Sequence, residues 1–163
     1  MDKLACRLAG PADVATIRTL LQAAFGPLLG VVSSRPTALD EDAVTLAQRL
    51  AQGQLFAIGE LMGRAVATAC LLPTDSAEVA EIKRVAVLPE LQGQGCGQQL
   101  LAWLEPLARA RGYARLRLSI RRKLPGNLAF YLRCGYVPIG EQPHPRAPDD
   151  GIVWLEKVLV CGR

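Results

Sequence analysis

The chain has no Cys-x-x-Cys pair, no Lys-Ser or Lys-Thr pair and a single histidine among its 163 residues. Its five cysteines, Cys6, Cys70, Cys96, Cys134 and Cys161, are odd in number and widely spaced. That excludes a disulfide framework and a zinc site and leaves reduced thiols as the expectation. Without a lysine before Ser or Thr, the phosphate loop G-x-x-x-x-G-K-[ST] cannot be written anywhere. No apolar run reaches membrane-spanning length, and Met1-Asp2-Lys3 leads straight into a strand-like Leu4 to Leu8 with no signal-peptide pattern. A cytoplasmic protein with no membrane partner is therefore expected. Acidic residues are missing altogether between Pro106 and Gly140, a block that carries eight basic ones.

That block is a positive zone suited to the phosphates of a cofactor or of nucleic acid. Nucleic acid is the weaker reading. Arg115-Leu116-Arg117-Leu118-Ser119-Ile120 alternates with period two, which explains its arginines as the wet face of a half-buried strand. Aromatic residues able to stack bases are confined there to Tyr113, Phe130, Tyr131 and Tyr136. No nucleic-acid partner is expected. The length suits one domain over residues 1–163, burying roughly 70% of its unfolded surface without metal or disulfide.

Periodicity and punctuation divide the chain. Leu4 to Leu8 reads as a strand. Pro11-Ala12-Asp13 opens a helix with Val14, Ile17, Leu20, Leu21 and Ala24 on one face, stopped by Gly26-Pro27. Asp40-Glu41-Asp42 begins a second helix that ends near Gly53. Leu55–Gly59 and Arg64–Leu72 form a hairpin, and Glu78–Leu88 is a further strand. A helix from Gln98 carries Leu100, Leu101, Leu104, Leu107 and Ala108 on one face and ends at Gly112, with Pro106 predicting a kink or an early end. Arg115–Ile120 is a strand, and Asn127, read as an N-cap, starts a short helix to Cys134. Tyr136–Ile139 and Ile152–Val160 complete the sheet around a proline-rich loop, Glu141–Gly151. The order β-α-α-β-β-β-α-β-α-β-β places the chain in the α/β class, with a mixed sheet covered by helices on both faces. Its exposed strand edges make a homodimer an expectation.

The most informative stretch is Val85 to Gly97, where a strand passes through Pro89 into Gln92-Gly93-Gln94-Gly95-Cys96-Gly97 and a helix start. Bare amides and the positive end of a helix dipole make a seat for a diphosphate. G-x-G-x-x-G fails in both frames, since Gln98 and Leu100 fall where the third glycine belongs. What fits is Q-x-x-G-x-G, carried by Gln92, Gly95 and Gly97. With Ala80-Glu81-Ile82, Val85-Ala86-Val87, Asn127-Leu128-Ala129-Phe130-Tyr131 and Gly135-Tyr136, the chain resembles the GNAT superfamily of acetyl-CoA-dependent N-acetyltransferases.

The resemblance implies a central sheet that splays beside its fourth strand, and acetyl-CoA as cosubstrate. Its diphosphate would lie on the amides of Gln94, Gly95, Cys96 and Gly97, with Gln92 and Gly93 in the same turn. Its pantetheine arm would lie along Val85, Ala86 and Val87, and Asn127 would address the cofactor. The resemblance also assigns the Val85 N–H as donor to the thioester oxygen, Glu81 as general base through water, and Tyr131 as the acid for the departing thiolate. The expected reaction is direct transfer of acetyl to a primary amine of a small molecule or peptide. The competing reading of Glu81 is an ion pair with Lys83, and that of Tyr131 a core aromatic. His144 is a candidate auxiliary base or substrate contact, Arg121, Arg122 and Lys123 are candidates for the cofactor phosphates, and Cys96 and Cys134 read as filler. Asp40, Glu41, Asp149 and Asp150 point to a cationic acceptor. Two other functions fit the same residues, a non-catalytic acyl-CoA-binding module and a nucleic-acid-binding domain.

Overall fold

In the computed structural model, which describes residues 3–32 and 34–159, each helix and strand follows from the pattern that marks it. The order is β1 (Ala5–Leu8), α1 (Val14–Phe25), α2 (Ala43–Ala51), β2 (Leu55–Leu61), β3 (Arg64–Pro73), β4 (Val79–Val87), α3 (Cys96–Ala110), β5 (Arg115–Arg121), α4 (Pro125–Arg133), β6 (Val137–His144) and β7 (Ala147–Val158). The strands form one seven-stranded sheet in the order β1-β2-β3-β4-β5-β7-β6. Among the described strands only β4 and β5 run parallel. One face is covered by α1 and α2, whose Ile17, Leu21 and Leu46 pack with Phe56, Ile58, Cys70 and Ala86. On the other, Leu100, Leu101 and Leu104 of α3 and Tyr131 of α4 pack with Ala80, Ile82, Leu116 and Leu118.

Two features of β4 shape the site. Its pairing with β5 covers only Val79, Ala80 and Glu81 against Arg115, Leu116 and Arg117. Beyond Glu81 the two strands part, and β5 continues with β7 as its partner as far as Arg121. This fork is the splay that the family resemblance implies. Next to it, the β3–β4 ladder shifts register between Thr68 and Cys70, so that Ala69 faces both Arg84 and Val85. Arg84 takes the left-handed φ of 58° at this bulge, a strained conformation for a non-glycine residue. The extra residue reverses the alternation. Ile82 and Val85 both lie toward α3, whereas Ala86 packs under α1 and α2.

Three sequence expectations change. The segment read as a proline-rich loop, Glu141–Gly151, is strand: β6 and β7 pair out to His144↔Ala147 and leave only Pro145 and Arg146 as the turn. Pro143 survives because β6 is the sheet edge, where a missing N–H costs no ladder bond, Pro145 sits in the turn, and Pro148 of β7 lies where the β6 register slips, outside residues 152–158, which pair with β5. Pro106 neither ends nor interrupts α3, which runs on to Ala110. Both Pro106 and Ala102, whose carbonyl loses its partner, are exposed, so water can satisfy the freed oxygen. Asn127 is not an N-cap, because α4 starts at Pro125, the favoured residue for a first helical position, with Leu124 as its cap. Val160, the expected end of the last strand, and Cys161 lie outside the described residues.

Candidate active site

The fork opens into a cavity on each side of the sheet. The cavity on the α3 side, about 520 Å³, is lined by Val85 and Val87, by Gln92, Gly93, Gly95 and Gly97, and by Asn127 and Tyr131. The cavity on the α1 side, about 270 Å³, is lined by Lys83, Arg84, Ser119, Arg121, His144 and Arg146, among others. Val85, Asn127 and Tyr131 line both. Those three residues therefore mark the place where the two cavities meet.

The glycine turn has the features a diphosphate requires. Gly93 and Gly95 hold φ of 80° and 89°, which glycine adopts at no steric cost. The first intrahelical bond runs from the Gln99 N–H to the Gly95 carbonyl, so the amides of Gly95, Cys96, Gly97 and Gln98 precede the α3 ladder. Gln94 differs from expectation, since its N–H already bonds to the Leu91 carbonyl at 3.3 Å. The open group is thus shifted one residue toward the helix. A Cβ at Gly97 would come within 3.0 Å of Phe130 Cζ, so the close approach there admits only glycine without displacement of that ring. Gln92 closes the turn by donating from Nε2 to the Val87 carbonyl at 3.2 Å. This donor set fits a nucleotide diphosphate.

Along β4 the Leu88 N–H bonds to Val66 of β3. By strand alternation the backbone groups of Val85 and Val87 point the other way, into the fork, where the Val87 carbonyl also accepts from Gln92. Ala86 is consequently turned toward β3, with its side chain buried under α1 and α2. The side chain of Cys96 is also buried in the core rather than facing the cavity, and Cys134 lines it. Burial raises the pKa of both thiols, which suits filler rather than nucleophiles.

Tyr131 is 8% exposed, and its ring sits edge-on to Phe130 and Tyr136 at centroid distances of 4.9 and 5.9 Å. Tyr131 lines both cavities, and its hydroxyl makes no hydrogen bond to protein among the described residues. Burial, and secondarily Cys134, push its pKa well above the ordinary phenol range, so it stays protonated.

Glu81 stands at the last paired position before the fork, 8% exposed. Lys83 Nζ lies 3.5 Å from one of its oxygens and Arg117 Nε 3.6 Å from the other. Arg117 in turn lies over the Trp154 ring. Glu81 lines neither cavity, whereas Lys83 lines the smaller one. The ion pair with Lys83, the competing reading of the sequence, is present.

Several residues lie elsewhere than expected. Arg121 lines the α1-side cavity, not the cofactor side, while Arg122 and Lys123 pair with Glu141 and Asp149. The cation that lines the larger cavity is Arg133 of α4, which the sequence reading missed. The four acids taken to favour a cationic acceptor line neither cavity. Glu41 pairs with Arg49 and Arg84, Asp40 pairs with Arg35, and Asp150 accepts from the backbone N–H groups of Lys123 and Gly151. His144 does line the α1-side cavity, 7% exposed, and its Nδ1 accepts the Arg146 N–H at 3.1 Å. Burial, then Arg121 and Arg146, lower its pKa. The imidazole is therefore neutral near pH 7 with its proton on Nε2, which makes that nitrogen a donor.

The fold has close counterparts among solved structures. A GNAT-family acetyltransferase from Desulfovibrio desulfuricans superposes with a TM-score of 0.80 at 21% identity, covering 96% of this chain and 99% of that one. An acetyltransferase from Salmonella typhimurium, solved with its cofactor acetyl-CoA, gives 0.77 at 19% identity, covering 99% and 96%. A curated relative, the aminoalkylphosphonate N-acetyltransferase of Salmonella typhimurium, is 45% identical over 58 residues, a stretch that spans 36% of this chain and 38% of that protein. The family model for GNAT acetyltransferases matches residues 15–136, which include the fork, the glycine turn and Tyr131. The chain belongs to the acetyltransferase (GNAT) family, whose cosubstrate is acetyl-CoA.

Proposed function

We propose that the protein is an N-acetyltransferase that moves acetyl from acetyl-CoA to a primary amine by direct attack. The observation that carries this reading is that two cavities, one on each side of the fork, share Val85, Asn127 and Tyr131 in their linings. One side offers amides to a diphosphate, the other is a separate chamber for an acceptor, and the shared residues lie between them. The matched relative, by its name, also acetylates an amine.

Acetyl-CoA, when bound, supplies an acyl group activated as a thioester. The amides of Gly95 to Gln98 hold the diphosphate, and the backbone of Val85 and Val87 aligns the arm in the fork. The Val85 N–H donates to the carbonyl oxygen as it gains charge, a dipole fixed in place by β4 before the reaction begins. An amine with an ordinary pKa near ~10.4 is almost wholly protonated at pH 7. Glu81 takes that proton through water, from its place at the base of the fork beside Lys83. Tyr131 donates a hydrogen bond to the departing sulfur. Asn127, one helical turn before Tyr131, contacts the cofactor from the same face.

The glycine turn yields a direct test. In Gly95→Val, a left-handed residue costs about 1–2 kcal/mol of backbone strain, and the amides it aims are displaced. Calorimetry should show a dissociation constant for CoA raised at least about tenfold, with the circular dichroism of the fold retained. Unchanged affinity would remove the diphosphate from this turn. The acyltransferase reading itself is tested by thiol release from acetyl-CoA across a panel of primary amines. Saturable CoA binding with no release from any of them would favour a non-catalytic acyl-CoA-binding module.

A further inference from the structure

Every charged residue that lines the acceptor-side cavity is basic: Lys83, Arg84, Arg121 and Arg146. Two of these have acidic partners outside the cavity, since Lys83 pairs with Glu81 and Arg84 with Glu41. Arg121 and Arg146 have none within salt-bridge distance among the described residues. Arg121 is half-buried, and the hydrogen bond it makes is from Nη1 to the Ser34 carbonyl at 2.8 Å. Burial lowers its pKa more than Asp150 raises it, and Arg146 adds to the lowering. A cation withdrawn from water without a carboxylate is held at a cost that a bound anion removes.

The neighbouring groups are arranged consistently with this. The Arg146 N–H fixes His144 as a neutral Nε2–H donor, so the imidazole adds a further hydrogen-bond donor to the lining. Asp150, the buried carboxylate nearest in electrostatic effect, is 1% exposed, bonds the Lys123 and Gly151 amides, and stays out of the lining. The lining therefore presents guanidinium, ammonium and imidazole donors with no acid to attract a second cation.

We propose that the amine acceptor carries an oxyanion group, a carboxylate or a tetrahedral phosphate or phosphonate, seated between Arg121 and Arg146 while its amine reaches toward Val85. Planar guanidinium groups recognise both kinds of oxyanion through paired N–H donors. The inference rests on the acetyltransferase reading for the amine end, whereas the anion seat stands on the lining alone.

Two measurements separate the two. First, methylphosphonate and acetate are titrated into the CoA-loaded protein by calorimetry, for the native chain and for Arg121→Gln and Arg146→Gln, at constant ionic strength. At least one anion is expected to bind saturably, and each substitution should weaken it about 10- to 100-fold; which anion binds tells a tetrahedral from a planar headgroup. Second, thiol release is compared for 3-aminopropylphosphonate, 4-aminobutyrate, butylamine and 1,4-diaminobutane. One of the two anionic amines should lead in kcat/KM, the diamine should come last, and Arg121→Gln should lower the leading rate about 10- to 100-fold more than the butylamine rate. Anion binding without any acetylation would leave the seat standing and sink the acetyltransferase reading. Acetylation with butylamine or the diamine equal to the anionic amines, or no saturable binding of either anion, would overturn the seat.

Discussion

Glu81→Gln is expected to lower kcat/KM about 10²- to 10³-fold at pH 7, and the deficit should shrink as the pH approaches the pKa of the acceptor amine, near ~10.4. The sign follows from the chemistry. A protonated amine cannot attack, so below its pKa the rate depends on a group that accepts the proton, and above it the acceptor is superfluous. Glutamine keeps the shape of the side chain at the base of the fork and removes only its capacity to take a proton. The competing role is purely electrostatic, since Glu81 stands between Lys83 and Arg117 at 3.5 and 3.6 Å. Removing its charge would leave two cations facing each other, which costs stability at every pH. A pH–rate profile of the variant, with a thermal melt beside it, separates these. A loss that is independent of pH and tracks a lowered Tm would assign Glu81 to holding Lys83 and Arg117 in place.

Tyr131→Phe should reduce kcat about 10- to 100-fold, with little change in the affinity for CoA. The ring is held by Phe130 and Tyr136 in edge-to-face contacts that phenylalanine reproduces, so the substitution deletes the hydroxyl and little else. The manner of its action is constrained by its acidity. Burial raises the pKa of Tyr131, whereas an ordinary thiol titrates near ~8.5. Full proton transfer from this phenol to a thiolate is uphill, and hydrogen-bond donation to the sulfur is the contribution open to it. The native enzyme should accordingly show no loss of activity from tyrosine ionisation up to about pH 10. A Tyr131→Phe variant with undiminished kcat would reduce this residue to a core aromatic.

The element order was legible because punctuation marked it. Gly112 and Gly135 sit just past their helices with φ of 95° and 92°, and Asp42 caps α2 by accepting from the Thr45 N–H at 2.7 Å. The antiparallel pairing of β6 with β7 was legible, but its outer end, Glu141–Gly151, was not, because prolines that forbid a central strand are tolerated at an edge, and edge position is a property of the sheet rather than of the segment. The fork entered through family resemblance alone, since nothing in Ile82 to Val87 announces that the strand lacks a neighbour. The bulge at Arg84 carries no signal either, an arginine in a left-handed conformation being unforeseeable from composition. It decides which residues face which chamber.

The acceptor side shows the same limit from the opposite direction. Asp40, Glu41, Asp149 and Asp150 stood out as a group in the sequence, yet each is taken up by an arginine, a lysine or backbone amides. The basic lining comes from β4, β5 and the β6–β7 turn, segments far apart in the chain that converge only in the sheet. Local charge counting saw the acids and the basic block, but not which cations converge on the cavity, because pairing is tertiary.

The central claim is that backbone amides at the start of α3 hold a diphosphate and so align an acyl thioester with Val85. Its most direct measurement compares CoA with pantetheine, which keeps the thiol arm and lacks the diphosphate, by isothermal titration of the freshly folded protein. Saturable one-to-one binding of CoA, with pantetheine at least about 100-fold weaker, is the expected result. Equal affinities, or no heat from CoA at millimolar concentration, would contradict it.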